Sequence, residues 1–246
     1  MLLTDIQENI AKGRKMFALL IDPDKQSEAN LLRLTEKINS ANGPDIVLVG
    51  GSLLFGNIDA TVATLKRTTQ KPVVLFPGSA MQVTDKADGI LLLSLISGRN
   101  PEFLIGQHVL AAPALAKSGI EVLPAGYMLI GEENYTSVRY ISNTMPIPYG
   151  KTDIAVATAM AGQMLGLKAM YLEGGSGATK PVSAEMIAAV RRAVGLPLIV
   201  GGGLRSAADV TTALKSGADI VVVGTSIERN YALMEEIAEA VKGFNG

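Results

Sequence analysis

Eight short runs of branched apolar residues recur along the chain, each followed by a stretch of helical character. The runs cover residues 16–22, 45–50, 73–76, 89–95, 121–130, 169–173, 196–201 and 219–224. Near-continuous hydrophobicity is typical of parallel strands that are covered on both faces. Eight such strands in 246 residues predict an α/β fold, a (β/α)8 TIM barrel. A doubly wound open sheet is the alternative, but that fold carries its fingerprint after the first strand.

The segments between the runs support the barrel and mark two departures from it. Residues 183–194 and 206–217 each begin with a serine suited to capping a helix. Residues 77–88 contain a Pro-Gly pair and leave little room for a helix, so we expect the third barrel helix to be short or replaced. Residues 131–153 exceed an ordinary connection, which is typical of a lid or binding loop. No linker is evident, and we expect one domain over residues 1–246.

Composition excludes several classes of protein. The formal net charge is −1 and no basic block occurs, so we expect no nucleic-acid partner. Cysteine is absent, which rules out disulfides and thiolate metal sites. The first 15 residues lack the apolar core of a signal peptide, and the longest apolar run, residues 90–96, is too short to cross a bilayer. We therefore expect a soluble, cytoplasmic protein of a reducing compartment.

Three glycine clusters follow the last three predicted strands, where a TIM barrel carries its active site. They cover residues 173–177, 201–206 and 224–228. Glycine lets backbone N–H groups approach an anion closely, and helices that begin nearby add the positive ends of their dipoles. Each cluster alone is also what a tight strand-to-helix turn requires. Three of them on one face predict a phosphate site.

Asp22 and Ser52 end the first two predicted strands, which are neighbours in a barrel. A carboxylate and a hydroxyl placed there are suited to Mg²⁺, which takes one or two protein oxygens and completes its shell with water and phosphate. The alternative is that each residue caps the helix after it. Spacing alone leaves both interpretations open.

Taken together, eight segments resemble the geranylgeranylglyceryl phosphate synthase family, which includes bacterial heptaprenylglyceryl phosphate synthases. The segments span essentially the whole chain and read LLIDPDK, VGGS, NPEFLIGQHV, PAGYMLIG, YISNTMPIP, YLEGGSGA, GGGLRS and VVVGTSIE. The resemblance implies a modified TIM barrel whose third helix is lost or replaced. It also implies Mg²⁺-dependent transfer of a geranylgeranyl or similar polyprenyl group from its diphosphate to sn-glycerol 1-phosphate, which gives an ether-lipid precursor.

The family pattern also assigns residues of this chain. It implies Mg²⁺ on Asp22 and Ser52, and glycerol phosphate on Tyr171, Leu172, Glu173, Gly174, Gly175, Ser176, Gly177, Gly202, Gly203, Gly224 and Thr225. Several relatives carry a lysine two residues before the metal aspartate, where this chain has Leu20. Lys25 is a candidate substitute, or a solvated residue at the start of a surface helix.

Glu173 is the expected catalytic residue. A carboxylate beside an anion site repels phosphate, but it is suited to accept a proton from the free hydroxyl at the other end of glycerol phosphate. It also suits the positive charge that develops on the prenyl carbon as diphosphate leaves. The alternative is an ion pair with Arg205. A hydroxyl of Tyr171 is expected to bond the glycerol moiety or the phosphate.

The prenyl chain requires an apolar groove. Candidate lining residues are Leu75, Phe76, Met81 and residues 91–95, although any of them is equally suited to an ordinary core. His108, the only histidine, is expected to be structural. Two other functions stay open, a catalytically silent barrel that binds phospholipid precursors and another sugar-phosphate enzyme. We further expect a homo-oligomer and at most transient membrane contact.

Overall fold

A closed barrel of parallel strands organises the molecule in the computed structural model, which describes residues 2–131 and 136–245. The barrel strands are β1 (Met16–Ile21), β2 (Ile46–Val49), β3 (Val73–Leu75), β4 (Gly89–Leu95), β5 (Glu121–Gly131), β7 (Ala169–Glu173), β8 (Leu198–Gly201) and β9 (Ile220–Val223). Neighbours in this order pair in parallel, and the pairing of β1 with β9 closes the ring. The short β6 (Ile147–Pro148) pairs with the end of β5 outside it. All eight predicted strands and the TIM-barrel class are confirmed.

Helices surround this barrel in the described residues. They are α1 (Leu2–Ala11), α2 (Glu28–Ile38), α3 (Ile58–Thr68), α4 (Gln107–Ser118), α5 (Ser137–Ser142), α6 (Thr152–Met164), α7 (Ala184–Ala193), α8 (Ala207–Lys215), α9 (Thr225–Arg229) and α10 (Ala232–Lys242). A 3-10 turn (Pro23–Lys25) follows β1, and a π-helical turn (Glu102–Gly106) precedes α4. Ser183 and Ser206 cap α7 and α8, as predicted.

The period of two along each strand divides the core into two layers. In β1, Phe17, Leu19 and Ile21 face the helices, whereas Met16 and Ala18 face the barrel interior. The interior is filled with side chains from all eight barrel strands, and α1 contributes Leu2 and Ile6 to the same cluster. Within this layer a small cavity of about 20 Å³ lies beside α1, lined by Leu2, Ile6 and their neighbours.

The position of the third barrel helix is taken by turns. Residues 76–88, all of them described, contain no helix. The buried Gln82 folds this segment back, because its Nε2 donates to the carbonyl oxygen of Gly51 at 2.9 Å and its Oε1 accepts from the amide of Gly78 at 2.9 Å. The amide of Ala80 donates to Oε1 of Gln107 at 2.8 Å. The predicted replacement of the third helix is therefore confirmed.

The long connection after β5 carries structure of its own. It includes α5 and β6, and residues 132–135 of the predicted lid lie outside the described residues. Every helix in residues 2–131 and 136–245 is too short or too polar to cross a bilayer.

Candidate active site

A cavity of about 670 Å³ opens at the carboxyl ends of the barrel strands. Ten of the predicted site residues line it: Asp22, Ser52, Tyr171, Glu173, Ser176, Gly177, Gly202, Gly203, Gly224 and Thr225. They come from the ends of β1, β2, β7, β8 and β9, which the barrel brings to one face. The structure therefore brings together residues that lie up to about two hundred positions apart in the sequence.

Strand parity explains why the chemistry-bearing side chains point into this cavity. In β7, Ala169 and Tyr171 face the barrel interior, so Glu173 at the end of the same row faces it too. Leu172, between them, faces the helices and is fully buried there. The predicted placement of glycerol phosphate on Leu172 stays a prediction, and its side chain faces away from the cavity that Tyr171 and Glu173 line.

Glu173 is buried, with 5% of its surface exposed. Its Oε1 accepts the amide N–H of Gly175 at 2.6 Å. Burial raises the pKa of Glu173 to about 7, although the hydrogen bond from Gly175 and the nearness of the Tyr127 and Tyr171 hydroxyls lower it in part. The alternative ion pair with Arg205 does not form, because that guanidinium donates to the carbonyl oxygen of Ala178. Glu173 thus titrates in the range suited to a general base.

Three aromatic rings form the floor beneath Glu173. The ring centroids of Tyr127 and Tyr171 are 5.3 Å apart, and that of Phe76 is 5.2 Å from Tyr171 and 6.1 Å from Tyr127. Burial, followed by the charge of Glu173, raises the pKa of both tyrosines well above the ordinary value, so they stay neutral. The Tyr171 hydroxyl is buried without a hydrogen-bond partner among the described residues; the carboxylate acts on it through space.

Tyr127 was not found from the sequence. It pairs directly with Tyr171 across β5 and β7 and lines the same cavity. The sequence signal that could have found it is alternation along β5. Tyr127 follows Leu123 and Ala125 at every second position, and all three face the barrel interior. That row becomes visible only when the register of β5 is known.

The glycine loops form the polar side of the cavity. The hydroxyls of Ser176 and Thr225, from two different loops, are 3.3 Å apart. Gly202 has φ of +69°, and a Cβ at this position would lie 2.0 Å from Oε1 of Glu173. Only glycine fits there, because any side chain would displace the carboxylate. Two of the three clusters lead directly into a helix, since residues 201–206 end at Ser206, the cap of α8, and residues 224–228 enter the short α9.

Two of the glycines predicted to bind glycerol phosphate use their backbone N–H groups in hydrogen bonds within the protein. The amide of Gly174 donates to the carbonyl oxygen of Gly201 at 2.9 Å, and that of Gly175 donates to Glu173. Neither residue lines the cavity. Their predicted contacts with glycerol phosphate stay predictions, and both backbone N–H groups already have acceptors within the protein.

Asp22 lies at the rim beside the loop after β2. Its Oδ1 accepts the amide N–H of Asp24 at 3.1 Å, so Asp22 does cap the turn that follows. Its carboxyl carbon is 3.8 Å from the point that a Cβ on Gly51 would occupy, which places it next to the loop that carries Ser52. Ser52 is not a helix cap, since Asn57 caps α3.

This donor set fits a hard cation that also binds phosphate. No cluster of three or more His, Cys, Asp or Glu side chains suited to a metal occurs in residues 2–131 and 136–245. Asp22 and Ser52 nevertheless line one cavity, and Mg²⁺ in phosphate sites typically takes one or two protein oxygens. The fit therefore depends on substrate oxygens and water.

Lys25 is not simply solvated. Its Nζ lies 2.8 Å from Oδ2 of Asp22 and 3.6 Å from Oε2 of Glu228. Burial alone would lower the pKa of Lys25, but the hydrogen bond to Asp22 and the charges of Glu228 and Asp22 raise it overall. Lys25 is therefore a charged residue of the cavity wall.

A second, apolar pocket of about 90 Å³ adjoins the cavity at the position of the missing helix. The two share five lining residues: Gly51, Ser52, Phe76, Tyr127 and Val138. Leu92, Leu93 and Leu95 line the pocket as predicted. Phe76, a further candidate, also lines it, whereas Leu75 and Leu91 are core residues and Met81 is 91% exposed.

His108 also lines this pocket. Its Nε2 lies 3.3 Å from the hydroxyl of Ser94, and its Nδ1 is buried without a partner among the described atoms. The structural role expected of His108 stays a prediction. Its position in the lining of the apolar pocket was not predicted from the sequence.

Fold and site together define a (β/α)8 barrel with a glycine-lined polar cavity at its strand ends and an apolar pocket in place of its third helix. The model of the PcrB family matches residues 8–242, and the chain belongs to this family. A protein of Spirosoma linguale named geranylgeranylglyceryl phosphate synthase is 51% identical over 245 residues, 99% of this chain and 98% of the relative. One of that name from Methanothermobacter marburgensis is 40% identical over 240 residues, 97% of each chain.

A solved structure points the same way. The (S)-3-O-geranylgeranylglyceryl phosphate synthase from Thermoplasma acidophilum, in complex with its substrate sn-glycerol-1-phosphate, superposes with a TM-score of 0.91. It is 30% identical, and the match covers 98% of both chains. The predicted membership of the geranylgeranylglyceryl phosphate synthase family, an enzyme family of prenyltransferases, is thereby confirmed.

Proposed function

We propose that this chain transfers a geranylgeranyl or similar polyprenyl group from its diphosphate to a hydroxyl of sn-glycerol 1-phosphate, with Mg²⁺. The observation that carries the proposal is the junction of two spaces, a polar cavity with glycine loops and an apolar pocket, at a buried carboxylate. One space suits a phosphorylated polyol and the other a hydrocarbon chain.

The polar side suits glycerol phosphate. Ser176 and Thr225 supply hydroxyls, and Gly177, Gly202 and Gly203 allow the backbone to approach the phosphate closely. The relative from Thermoplasma acidophilum, which shares the fold at 30% identity, binds sn-glycerol-1-phosphate. We place the phosphate on these loops and the free hydroxyl toward Glu173.

Glu173 then acts as the general base. The hydroxyl oxygen forms a bond to the first carbon of the prenyl chain, the bond from that carbon to diphosphate breaks, and the proton passes to Glu173. Phe76 and Tyr127 line both the apolar pocket and the cavity, so aromatic rings border the place where the two spaces meet. They suit a carbon on which positive charge develops.

Asp22 and Ser52 would hold Mg²⁺ at the opposite wall of the cavity. The ion would supply charge neutralisation for the departing diphosphate. Gly51 and Ser52 line both this side of the cavity and the apolar pocket, so the two spaces adjoin here. A diphosphate held there would leave its chain directed into the apolar pocket.

The alternatives fit less well. A Schiff-base aldolase of this fold needs a lysine of lowered pKa, and none of the strands in the described ranges contains a lysine. Lys25 reaches the cavity but has a raised pKa. A silent binding barrel has no need of a buried carboxylate with its pKa near 7.

The test is a synthesis assay with purified protein, Mg²⁺, geranylgeranyl diphosphate and either sn-glycerol 1-phosphate or its 3-phosphate enantiomer. We expect the ether product with the 1-phosphate, its loss in EDTA, and a drop of about a hundredfold or more in Glu173→Gln, as for loss of a general base. Glu185→Gln, an exposed glutamate on α7, is the matched control. No product with C20, C25 or C35 donors, despite binding of glycerol phosphate, would favour the silent barrel.

A further inference from the structure

Lys25 is held between two carboxylates inside the cavity wall. Its side chain is 48% exposed, whereas those of Asp22 and Glu228 are 25% and 9% exposed. All three line the cavity. A lysine in an ordinary surface ion pair has one carboxylate partner and does not line a cavity. The position of Lys25 between two carboxylates in the cavity wall therefore indicates a function.

Both oxygens of Asp22 are engaged in this arrangement. Oδ1 accepts from the amide of Asp24, and Oδ2 pairs with the ammonium of Lys25 at 2.8 Å. A divalent cation bound to Oδ2 would stand where the ammonium now stands, and two cations on one oxygen repel each other strongly. Lys25 and a divalent cation therefore compete for Asp22.

Glu228 keeps Lys25 in the cavity. Its Oε2 is 3.6 Å from Nζ of Lys25, and its Oε1 accepts the backbone N–H of Asp22 at 3.2 Å. The carboxylate is nearly buried and fixed to the β1 end, so it remains an anchor when the ammonium leaves Asp22. From this anchor the lysine is directed into a cavity proposed to receive a diphosphate.

We propose that Lys25 is an exchangeable counter-ion: it neutralises Asp22 in the metal-free protein, gives up Asp22 to the divalent cation, and then binds the diphosphate of the prenyl donor. This inference rests on the proposed function. When the divalent cation takes Asp22, the ammonium of Lys25 becomes free to bind the diphosphate. Binding of the cation and binding of the donor are thereby linked.

The experiment measures binding, not turnover. Mn²⁺ affinity is measured by electron paramagnetic resonance without anions, and inorganic pyrophosphate affinity by calorimetry in Mg²⁺. The variants are Lys25→Met, Lys25→Arg and Asp22→Asn. Lys66→Met is the matched control, because Lys66 pairs with Asp88 at 2.6 Å and neither lines the cavity. Thermal unfolding checks that each variant folds, and Lys25→Arg retains the charge if Lys25→Met does not fold.

We expect Lys25→Met to bind Mn²⁺ about tenfold more tightly and pyrophosphate about tenfold more weakly, the scale of one charge-assisted contact. Lys25→Arg should stay close to the wild type for pyrophosphate, and Lys66→Met should match it in both. Unchanged or weaker Mn²⁺ binding in Lys25→Met, or unchanged pyrophosphate binding, would overturn the inference alone. If Asp22→Asn binds Mn²⁺ as the wild type does, the proposed metal site fails and the exchange fails with it.

Discussion

The pKa and the orientation of Glu173 follow from three features of its surroundings: the aromatic floor, the amide of Gly175 and the space at Gly202. Burial against the aromatic floor disfavours the charged form, while the amide of Gly175 favours it. Gly202 leaves the space in which Oε1 lies. The outcome is a carboxyl group with a pKa of about 7 rather than the ordinary 4.5, held in one orientation.

This pKa predicts a pH dependence of activity. The base must be deprotonated, so kcat/KM should rise about tenfold per pH unit below pH 7 and level off above it. The measurement is the pH profile of kcat/KM between pH 5.5 and 8.5. A flat profile across this range would contradict the role of Glu173 as the base.

The same shift predicts a stability effect of opposite sense. A folded-state pKa above the unfolded value means that stability is lost as pH rises from about 4.5 through 7. Glu173→Gln removes this loss, so its melting temperature relative to the wild type should increase from pH 5 to pH 8. Glu185→Gln, which is exposed, should show a constant difference. An equally constant difference in Glu173→Gln would exclude a raised pKa.

Among the elements, the segment that replaces the third helix decides what the barrel can hold. A helix there would cover the outer face of β3 and β4, whereas residues 76–88 fold back on Gln82 and leave the apolar pocket open. Leu92 faces this pocket, and Leu91, its neighbour in β4, packs in the barrel interior. Leu93 and Leu95, in the same row as Leu91 but nearer the end of β4, also line the pocket, so position along the strand as well as parity decides which side chains reach it.

The groove predicts a chain-length effect. Leu92→Trp fills part of the pocket, so activity with a C20 donor should fall at least about tenfold, whereas a C10 donor should lose much less. The measurement is kcat/KM with both donors. Leu32→Trp, on an exposed position of α2, is the control. Equal losses with both donors would show that the chain does not occupy this pocket.

At the scale of the whole molecule, five of the exposed apolar side chains lie on two helices, α4 and α6. They are Val109 and Leu110 on α4, and Ile154, Met160 and Met164 on α6. Exposed apolar patches of this kind are typical of surfaces that associate. We propose that the protein forms a homo-oligomer through these helices.

Light scattering tests this proposal. We expect a mass that is a multiple of 25.7 kDa, and a shift toward the monomer in the double variant Val109→Lys and Leu110→Lys. Lys66→Met, remote from both helices, should leave the mass unchanged. A wild-type mass of one chain would contradict the proposal.

The sequence by itself determined the strands, the barrel and the face that carries the site, because buried parallel strands need continuous apolar runs and their turns need glycine. It also determined that Asp22, Ser52, Glu173 and three glycine loops share that face. The loss of the third helix was readable from the length and composition of residues 77–88.

Only the tertiary structure decided which side chains meet. Whether Leu172 or Glu173 faces the cavity, whether Tyr127 joins Tyr171, and whether Lys25 reaches Asp22 depend on register and on loops that pack from distant parts of the chain. Glu228 lies 203 residues beyond Lys25, and no local pattern joins them. Strand periodicity is a local property of the sequence, whereas the meeting of side chains across a closed barrel is a property of the whole fold.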